Sequence, residues 1–323
     1  MLGGLGLGQR RRPGRSFRMM LSSAGRRVGL MRSFRESAAA LNVDLTMYAC
    51  DMQPEWSPAC IEADKAFAVP GAENEAFIPR MLEICERERI QLIVPTIDTE
   101  LIAYSEARDL FAEIGCHVAV SDPGLVRMAR DKLATARFLA DADLPSPRTV
   151  SVDEFLSRHM ELKLPLIAKP RHGSSSRGIM MVHGRDEIMG LDWTEPYILQ
   201  EYLEGREFTI SLYFDDEGAL KAAIPHERLR VRSGEVEKGV TSDDAQLRDI
   251  AGNWASGCAG RGARCAFRCA STRRASLPFS KLMRGSVVGT RWCIRLARAS
   301  PNGCSRNRSA SSARPATNGR RIY

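Results

Sequence analysis

A chain of 323 residues, 44% hydrophobic and 7% aromatic, has the length of two or three domains and the composition of a globular protein rather than a fibrous one. No apolar run approaches the roughly 18–20 residues of a membrane span, and in MLGGLGLGQRRRPGR the arginines follow the apolar letters, the reverse of an export signal. The formal net charge of +8 averages two unlike parts: residues 253–323 hold 14 Arg, one Lys and neither Asp nor Glu, which leaves residues 1–252 at −7.

Residues 1–18 are Gly- and Arg-rich without periodicity and are expected to form a disordered extension, with the patterned chain starting at Met19 or Met20. Met19–Ser22 is a short apolar strand, SSAGRR a turn, and Val28 to about Leu41 a helix. Strands are predicted at Leu45–Cys50, Ala66–Val69, Leu92–Pro95 and His117–Val120, and helices at Glu75–Arg89 and Glu100–Ile114. Strands that alternate with helices of 10–15 residues imply a parallel, doubly wound, Rossmann-like sheet over residues 19–120. Ser22–Arg27, Asp51 and Thr96–Glu100 would stand at the carboxyl ends of its strands, where such sheets bind ligands.

A second, α+β unit is predicted from residue 121. Asp122-Pro123 opens a helix, and Asp131–Ala142 continues helical until Pro145 and Pro147. Leu164–Lys169 is a strand, RHGSSSRG a polar loop, and Ile179–Val182 the returning antiparallel strand. Tyr197–Glu201, Glu207–Phe214 and Ala219–Ile224 complete the strand pattern.

Three stretches of this unit could carry chemistry. In LPLIAKPRHGSSSRGIMMV, Lys169 ends a strand and Gly173 and Gly178 let backbone approach a ligand. Ser174, Ser175 and Ser176 offer amides and hydroxyls suited to a polyphosphate; an ordinary hairpin with a solvated lysine reads the same way. In YILQEYLEGREFTISLYF, a strand end and aliphatic connector could hold an adenine edge, with Leu203 on its face and Glu207 accepting from ribose hydroxyls. Surface placement of Glu201, Glu204 and Glu207 is the alternative. In HERLRVRSGEVEKGVT, strand alternation would set Arg228, Arg230 and Arg232 on one face, fit for an anionic acyl phosphate or a carboxylate. A solvated charged hairpin is equally consistent.

The order of these pieces resembles the ATP-grasp superfamily, and within it the single-module proteins similar to the carbamoyl-phosphate synthase large subunit. The matching residues are SSAGRR (22–27), DKLATARFLADADLPSPRT (131–149), LPLIAKPRHGSSSRG (164–178), LQEYLEGREFTI (199–210) and RSGEVEKGVT (232–241). The resemblance implies a pre-ATP-grasp domain at 19–120 and an ATP-grasp domain from 121, incomplete at 252. It places Lys132 and Lys169 on the phosphates, 173–178 as the loop over them, and Gln200, Glu201, Tyr202 and Leu203 around the adenine. Glu207 would hold the ribose, and Arg232 would be the catalytic cation. The partners it implies are ATP, Mg²⁺ and a small carboxylate, which attacks the γ-phosphate to give an acyl phosphate for an amine or other acceptor. A cytoplasmic setting follows from the cysteines: the nine of them form no CxxC pair. Neither a membrane nor a nucleic acid is the expected partner. The oligomeric state is left open.

The final family element, a strand pair ending in Glu-x-Asn that binds Mg²⁺, has no counterpart in 253–323, which lacks carboxylates altogether. A one-frame slip near Gly252–Trp254 accounts for this. Read one base out of frame, FSKLMRGSVVGTR (279–291) can encode FEINARFGGGYP, which restores the motif. On that reading 253–323 is an out-of-frame, disordered tail, the metal ligands are missing and the ligase is inactive. The competing reading is a non-catalytic Rossmann-like module whose basic tail contacts nucleic acid.

Overall fold

The computed structural model describes residues 15–144, 146–158, 160–173, 178–215, 217–232, 235–259 and 267–273. They fall into two compact units, residues 15–96 with 107–118, and residues 97–106 with 119–273. No helix of the described residues is long and apolar enough to cross a membrane.

The first unit is the predicted parallel sheet. Its strands β1 (Arg15–Ser22), β2 (Val43–Asp51), β3 (Lys65–Ala68), β4 (Leu92–Pro95) and β5 (His117–Val118) run in the order β3-β2-β1-β4-β5. All four pairings are parallel, as crossover helices require. The helices are α1 (Val28–Ala40), α2 (Pro58–Glu62), α3 (Phe77–Glu88) and α5 (Arg108–Glu113). The central strands are apolar through their C-terminal halves. Met19, Met20, Leu21, Met47, Ala49, Cys50, Ile93 and Val94 are all buried, the pattern of a sheet covered on both faces. Strand β1 begins at Arg15, four residues before the expected Met19. Pairing of Arg15–Arg18 with Val43–Thr46 satisfies backbone groups that the side-chain pattern does not reveal, so the expected extension is shorter than 1–18. Residues 1–14 lie outside the described residues.

The second unit has two four-stranded antiparallel sheets. In the first, β6 (Thr149–Ser151), β7 (Leu166–Pro170), β8 (Met180–Val182) and β9 (Tyr197–Glu201) run in the order β6-β9-β7-β8. One face packs on α8 (Val152–Ser157) and α9 (Arg185–Met189) through Val150, Phe155, Leu166, Ala168, Val182, Ile188 and Leu199. Strand alternation turns Thr149, Lys169 and Gln200 to the opposite face. Helix α8 starts in a capping box, Ser151 with Glu154.

In the second sheet, β10 (Arg206–Phe214), β11 (Leu220–Arg232), β12 (Glu235–Thr241) and β13 (Phe267–Arg273) run in the order β12-β11-β10-β13. Phe208, Ile210, Leu212 and Phe214 point to one side, against α6 (Pro123–Arg130), α7 (Lys132–Asp141) and α10 (Ala245–Ala259). Glu207, Thr209 and Ser211 therefore line the other face of β10. The short α4 (Leu101–Glu106) also belongs to this unit. The single helix expected over Glu100–Ile114 is thus two, divided at Ala107, where ψ is 3°.

The expected break at residue 252 is not a structural one. Helix α10 continues to Ala259, and β13 pairs antiparallel with β10. Leu247, Ile250, Ala251 and Ala255 bury one continuous helical stripe, which carries the helix past residue 252. The rest of 253–323 lies outside the described residues.

Candidate functional site

The carboxyl end of β7 assembles a connected, buried polar cluster in the second unit. Lys169 is only 8% exposed and Gln200 3%. Gln200 sits across from Ile167 on β7 and from Thr149 on β6, which makes it a diagonal neighbour of Lys169. Lys169 Nζ donates to Gln200 Oε1 at 2.8 Å, Gln200 Nε2 donates to Thr149 Oγ1 at 2.7 Å, and Thr149 Oγ1 donates to the Pro147 carbonyl at 2.9 Å. A buried ammonium is tolerated only with such partners.

The loop after β7 is fastened to the start of α7. Asp131 caps the helix by accepting from the amides of Leu133 (2.9 Å) and Ala134 (3.1 Å). It also accepts a two-pronged contact from Arg171, Nε at 2.9 Å and Nη2 at 2.6 Å. Partial burial alone would raise the Asp131 pKa, but Arg171 and the two amides hold it below the ordinary carboxylate value. Lys132 Nζ donates to the carbonyls of Pro170 (2.9 Å), Arg171 (3.4 Å) and Gly173 (2.5 Å). Burial, with Arg130 adding to it, lowers its pKa to about 8. The expected phosphate lysine therefore clasps the root of the loop through backbone oxygens.

The two glycines have distinct steric duties. A Cβ on Gly178, which has φ +68°, would lie 2.6 Å from Tyr197 Oη and 2.8 Å from Pro170 Cγ. On Gly173 it would lie 2.9 Å from Pro170 Cβ. Ser174, Ser175 and Ser176 lie outside the described residues, as does the side chain of Arg232.

Beyond β9, the Glu201 carboxylate accepts from the Lys163 amide at 3.3 Å, and the Tyr202 amide donates to the Pro165 carbonyl at 3.2 Å. Leu203 is half-buried. Glu207 stands 3.5 Å from Arg228 Nε, while Arg206 forks onto Glu227, its Nε at 2.7 Å. Arg230 pairs with Glu237 at 2.8 Å. Register shifts on either side of Arg230 break the strand alternation, so Arg228 and Arg230 oppose consecutive residues, Gly239 and Lys238. The arginines do not form the single face that spacing predicted, because Leu229 is an extra residue in the ladder.

In the first unit the SSAGRR turn is tied to two strand ends and to the start of α2. The Gly25 amide donates to Asp51 Oδ2 at 2.9 Å, Thr96 Oγ1 to the Ser23 carbonyl at 2.6 Å, and Ser57 Oγ to the Gly25 carbonyl at 2.9 Å. Asp51 is thereby occupied in closing the turn.

Sequence reasoning set Lys132, Lys169, Gly173 and Gly178 around one anion; in the structure Lys132 reaches the Pro170 and Gly173 carbonyls, and both glycines abut Pro170, the residue after Lys169. It missed Thr149, Asp131 and Arg171. An Asp immediately before a helix is an N-cap signal that could have singled out Asp131. The partnership of Asp131 with Arg171 spans forty positions and leaves no local mark.

Comparison with known proteins agrees with this architecture. Residues 19–119 match the PylC-like N-terminal domain, and residues 129–260 match the ATP-grasp domain. The chain is similar to a D-alanine–D-alanine ligase of Bacillus anthracis, 19% identical over 162 residues, 41% of this chain and 53% of the ligase. It is 24% identical over 157 residues to a carbamoyl-phosphate synthase of Methanobrevibacter smithii, 46% of this chain and 41% of the synthase. It thus spans about half or less of these relatives' length. Among solved structures, the biotin carboxylase domain of the Hydrogenobacter thermophilus 2-oxoglutarate carboxylase, in complex with MgADP, ADP and bicarbonate, superposes with a TM-score of 0.64 at 14% identity, over 83% of this chain and 64% of that one. A Rossmann-like first unit, two antiparallel sheets after it and a lysine at the glycine-loop strand end identify the chain as a member of the ATP-grasp superfamily, with a PylC-like N-terminal domain before its ATP-grasp domain.

Proposed function

We propose that the chain derives from an ATP-dependent carboxylate–amine (or related) ligase that works through an acyl phosphate. One observation carries the reading: Lys169, nearly fully buried, lies at the end of the strand that leads into the glycine loop, where its ammonium donates to Gln200. A lysine at that place suits the oxygens of a polyphosphate that enters from the loop side. A carboxylate oxygen of the substrate would attack the γ-phosphorus as the bond to the bridging oxygen breaks and ADP leaves. The acceptor amine would then attack the acyl carbon and expel inorganic phosphate. In this reading Lys169 neutralises phosphate oxygens, and Lys132 shapes the root of the loop and contacts the same anion. The backbone of 173–178 cradles it. Glu201, Tyr202 and Leu203 flank the adenine with backbone groups, Glu207 holds the ribose, and Arg232 faces the transferring phosphoryl group.

Mg²⁺ would shield the phosphates in such a reaction. The described residues do not by themselves fit it, since no three His, Cys, Asp or Glu side chains converge among them. We place the protein in the cytoplasm, where the buried free thiols of Cys50, Cys60, Cys85 and Cys116 would stay reduced. Residues beyond 252 are, in our reading, translated out of frame, and the printed chain turns over no substrate.

Isothermal titration with ATP tests the proposal. The chain with its frame restored should bind MgATP, and Lys169→Ala should weaken that binding tenfold or more, as loss of a charge-assisted contact does. Equal affinity of the two proteins would overturn it. So would carboxylate-dependent phosphate release by the chain as printed.

A further inference from the structure

We infer that Arg171 is a positioning residue for an incoming phosphate. By forking onto Asp131 it keeps that carboxylate off the neighbouring Lys132, so the Lys132 ammonium is held by carbonyls and can exchange one of them for a phosphate oxygen. The inference rests on the reading that Lys132 contacts the phosphate. An ammonium has three N–H donors. Those of Lys132 face the carbonyls of Pro170 at 2.9 Å, Arg171 at 3.4 Å and Gly173 at 2.5 Å. Each is a neutral acceptor, although a carboxylate is the next residue in the chain. Asp131 is engaged elsewhere, by Arg171 Nε at 2.9 Å and Nη2 at 2.6 Å and by the amides of Leu133 and Ala134. Arg171 is itself pinned through its backbone. Its amide donates to the Pro196 carbonyl at 2.8 Å, and its carbonyl accepts from the Lys132 amide at 3.2 Å. A fork anchored in this way stays in register with the carboxylate.

The fork prevents a change of partner. The charged groups that act on Lys132 are Arg130 at the end of α6, Asp131, Glu195 just before β9 and Asp98 just before α4. Burial, and Arg130 after it, favour the neutral lysine; the carboxylates oppose them, Asp131 most strongly. Arg130 and Asp98 already face each other at 3.7 Å. Asp131 released from Arg171 would therefore turn its charge on the lysine beside it. An Asp131–Lys132 ion pair would draw the ammonium away from the loop root. A charged phosphate oxygen outcompetes a neutral carbonyl for an ammonium, but it has no such advantage over a carboxylate. Of the three carbonyls, that of Gly173 lies furthest along the loop, so it is the one that can be given up without disturbing β7.

The test uses the full chain labelled with ¹³Cε-lysine, the Lys132 resonance being the one lost in Lys132→Arg. In Arg171→Ala the freed carboxylate should raise the Lys132 titration midpoint by about one pH unit. Adding Asp131→Asn to Arg171→Ala should return the midpoint to the wild-type value or below it. Inorganic pyrophosphate should move the resonance in the wild-type chain. It should need roughly tenfold or more higher concentration to do so in Arg171→Ala, and less again in the double variant. A merely structural fork would loosen the junction in both variants, and both midpoints would climb together toward the ordinary 10.5. That result, or a midpoint unchanged in Arg171→Ala, would overturn the inference. Should Arg171→Ala not fold, Arg171→Gln, which fills much of the same space without the charge, is read by the same criteria. If the midpoints move as expected and pyrophosphate leaves the wild-type resonance in place, the phosphate reading of Lys132 fails while the hold of Arg171 on Asp131 stands.

Discussion

Asp131 joins two structural jobs that substitution can separate. It caps α7 through two amides and forks onto Arg171, with side-chain exposures of 15% and 33% for the pair. Asp131→Ala removes both. Cap loss costs about 1 kcal/mol, and loss of a charge-assisted, half-buried fork about 1–3 kcal/mol more. The sum, roughly 2–4 kcal/mol, corresponds to a fall in Tm of about 5–15 °C for a unit of this size. Asp131→Asn keeps the cap, because Asn serves as well as Asp there, and should recover about 1 kcal/mol. Combining Asp131→Asn with Arg171→Ala should give a coupling of roughly 1–2 kcal/mol in urea unfolding. The carboxylate lies below its ordinary pKa of 3.8 when folded. Its contribution is therefore complete above that value and fades as the pH falls through the lower, folded one. If the Ala and Asn variants unfold together and the coupling is below about 0.3 kcal/mol, the account of this junction is wrong.

Lys132 should behave in the opposite sense. Its pKa falls from 10.5 to about 8 on folding, so the unfolded chain binds more protons between those values. Stability should then rise across that window by roughly 2 kcal/mol, after allowance for screening of a partly exposed group; Lys132→Met should flatten the slope, and parallel Tm-versus-pH curves would refute this. Ile210→Ala should cost about 2–5 kcal/mol, because a fully buried residue is deleted from the β10 core, whereas Ser211→Ala on the other face should stay within about 0.5 kcal/mol; similar losses at both sites would contradict the two-sided strand. Sequencing the encoding DNA across Gly252–Trp254 should reveal a shifted frame that reads Phe-Glu-Ile-Asn from Phe279 onward, and stop codons in that frame would exclude the slip.

The parallel sheet was legible because buried strands between amphipathic helices leave two different periods in the chain. Met19–Leu21, Met47–Cys50 and Leu92–Val94 announce themselves as apolar runs. The start of β1 did not, since Arg15–Arg18 owes its strand state to pairing with β2. Likewise β11 runs unbroken to Arg232 because β12 folds back on it, so the strand expected at Ala219–Ile224 and the charged hairpin after it share one strand. At the candidate site, Lys169 and the glycines could be read from local spacing. The direction of Gln200 could not, since it depends on Thr149, fifty-one positions away. Arg228 and Arg230 were misjudged for a related reason: a bulge is decided by two strands together and is invisible in one.

Strand β10 bears Glu207 on one side and four core residues on the other, and it lies between β11 and β13. Its outer row of amides and carbonyls is covered by residues 267–273. That cover is a ladder of backbone hydrogen bonds, which any residue but proline can supply. A chain cut at residue 260 would keep every side chain described at the candidate site yet leave an open ladder on this strand, and it should self-associate in solution.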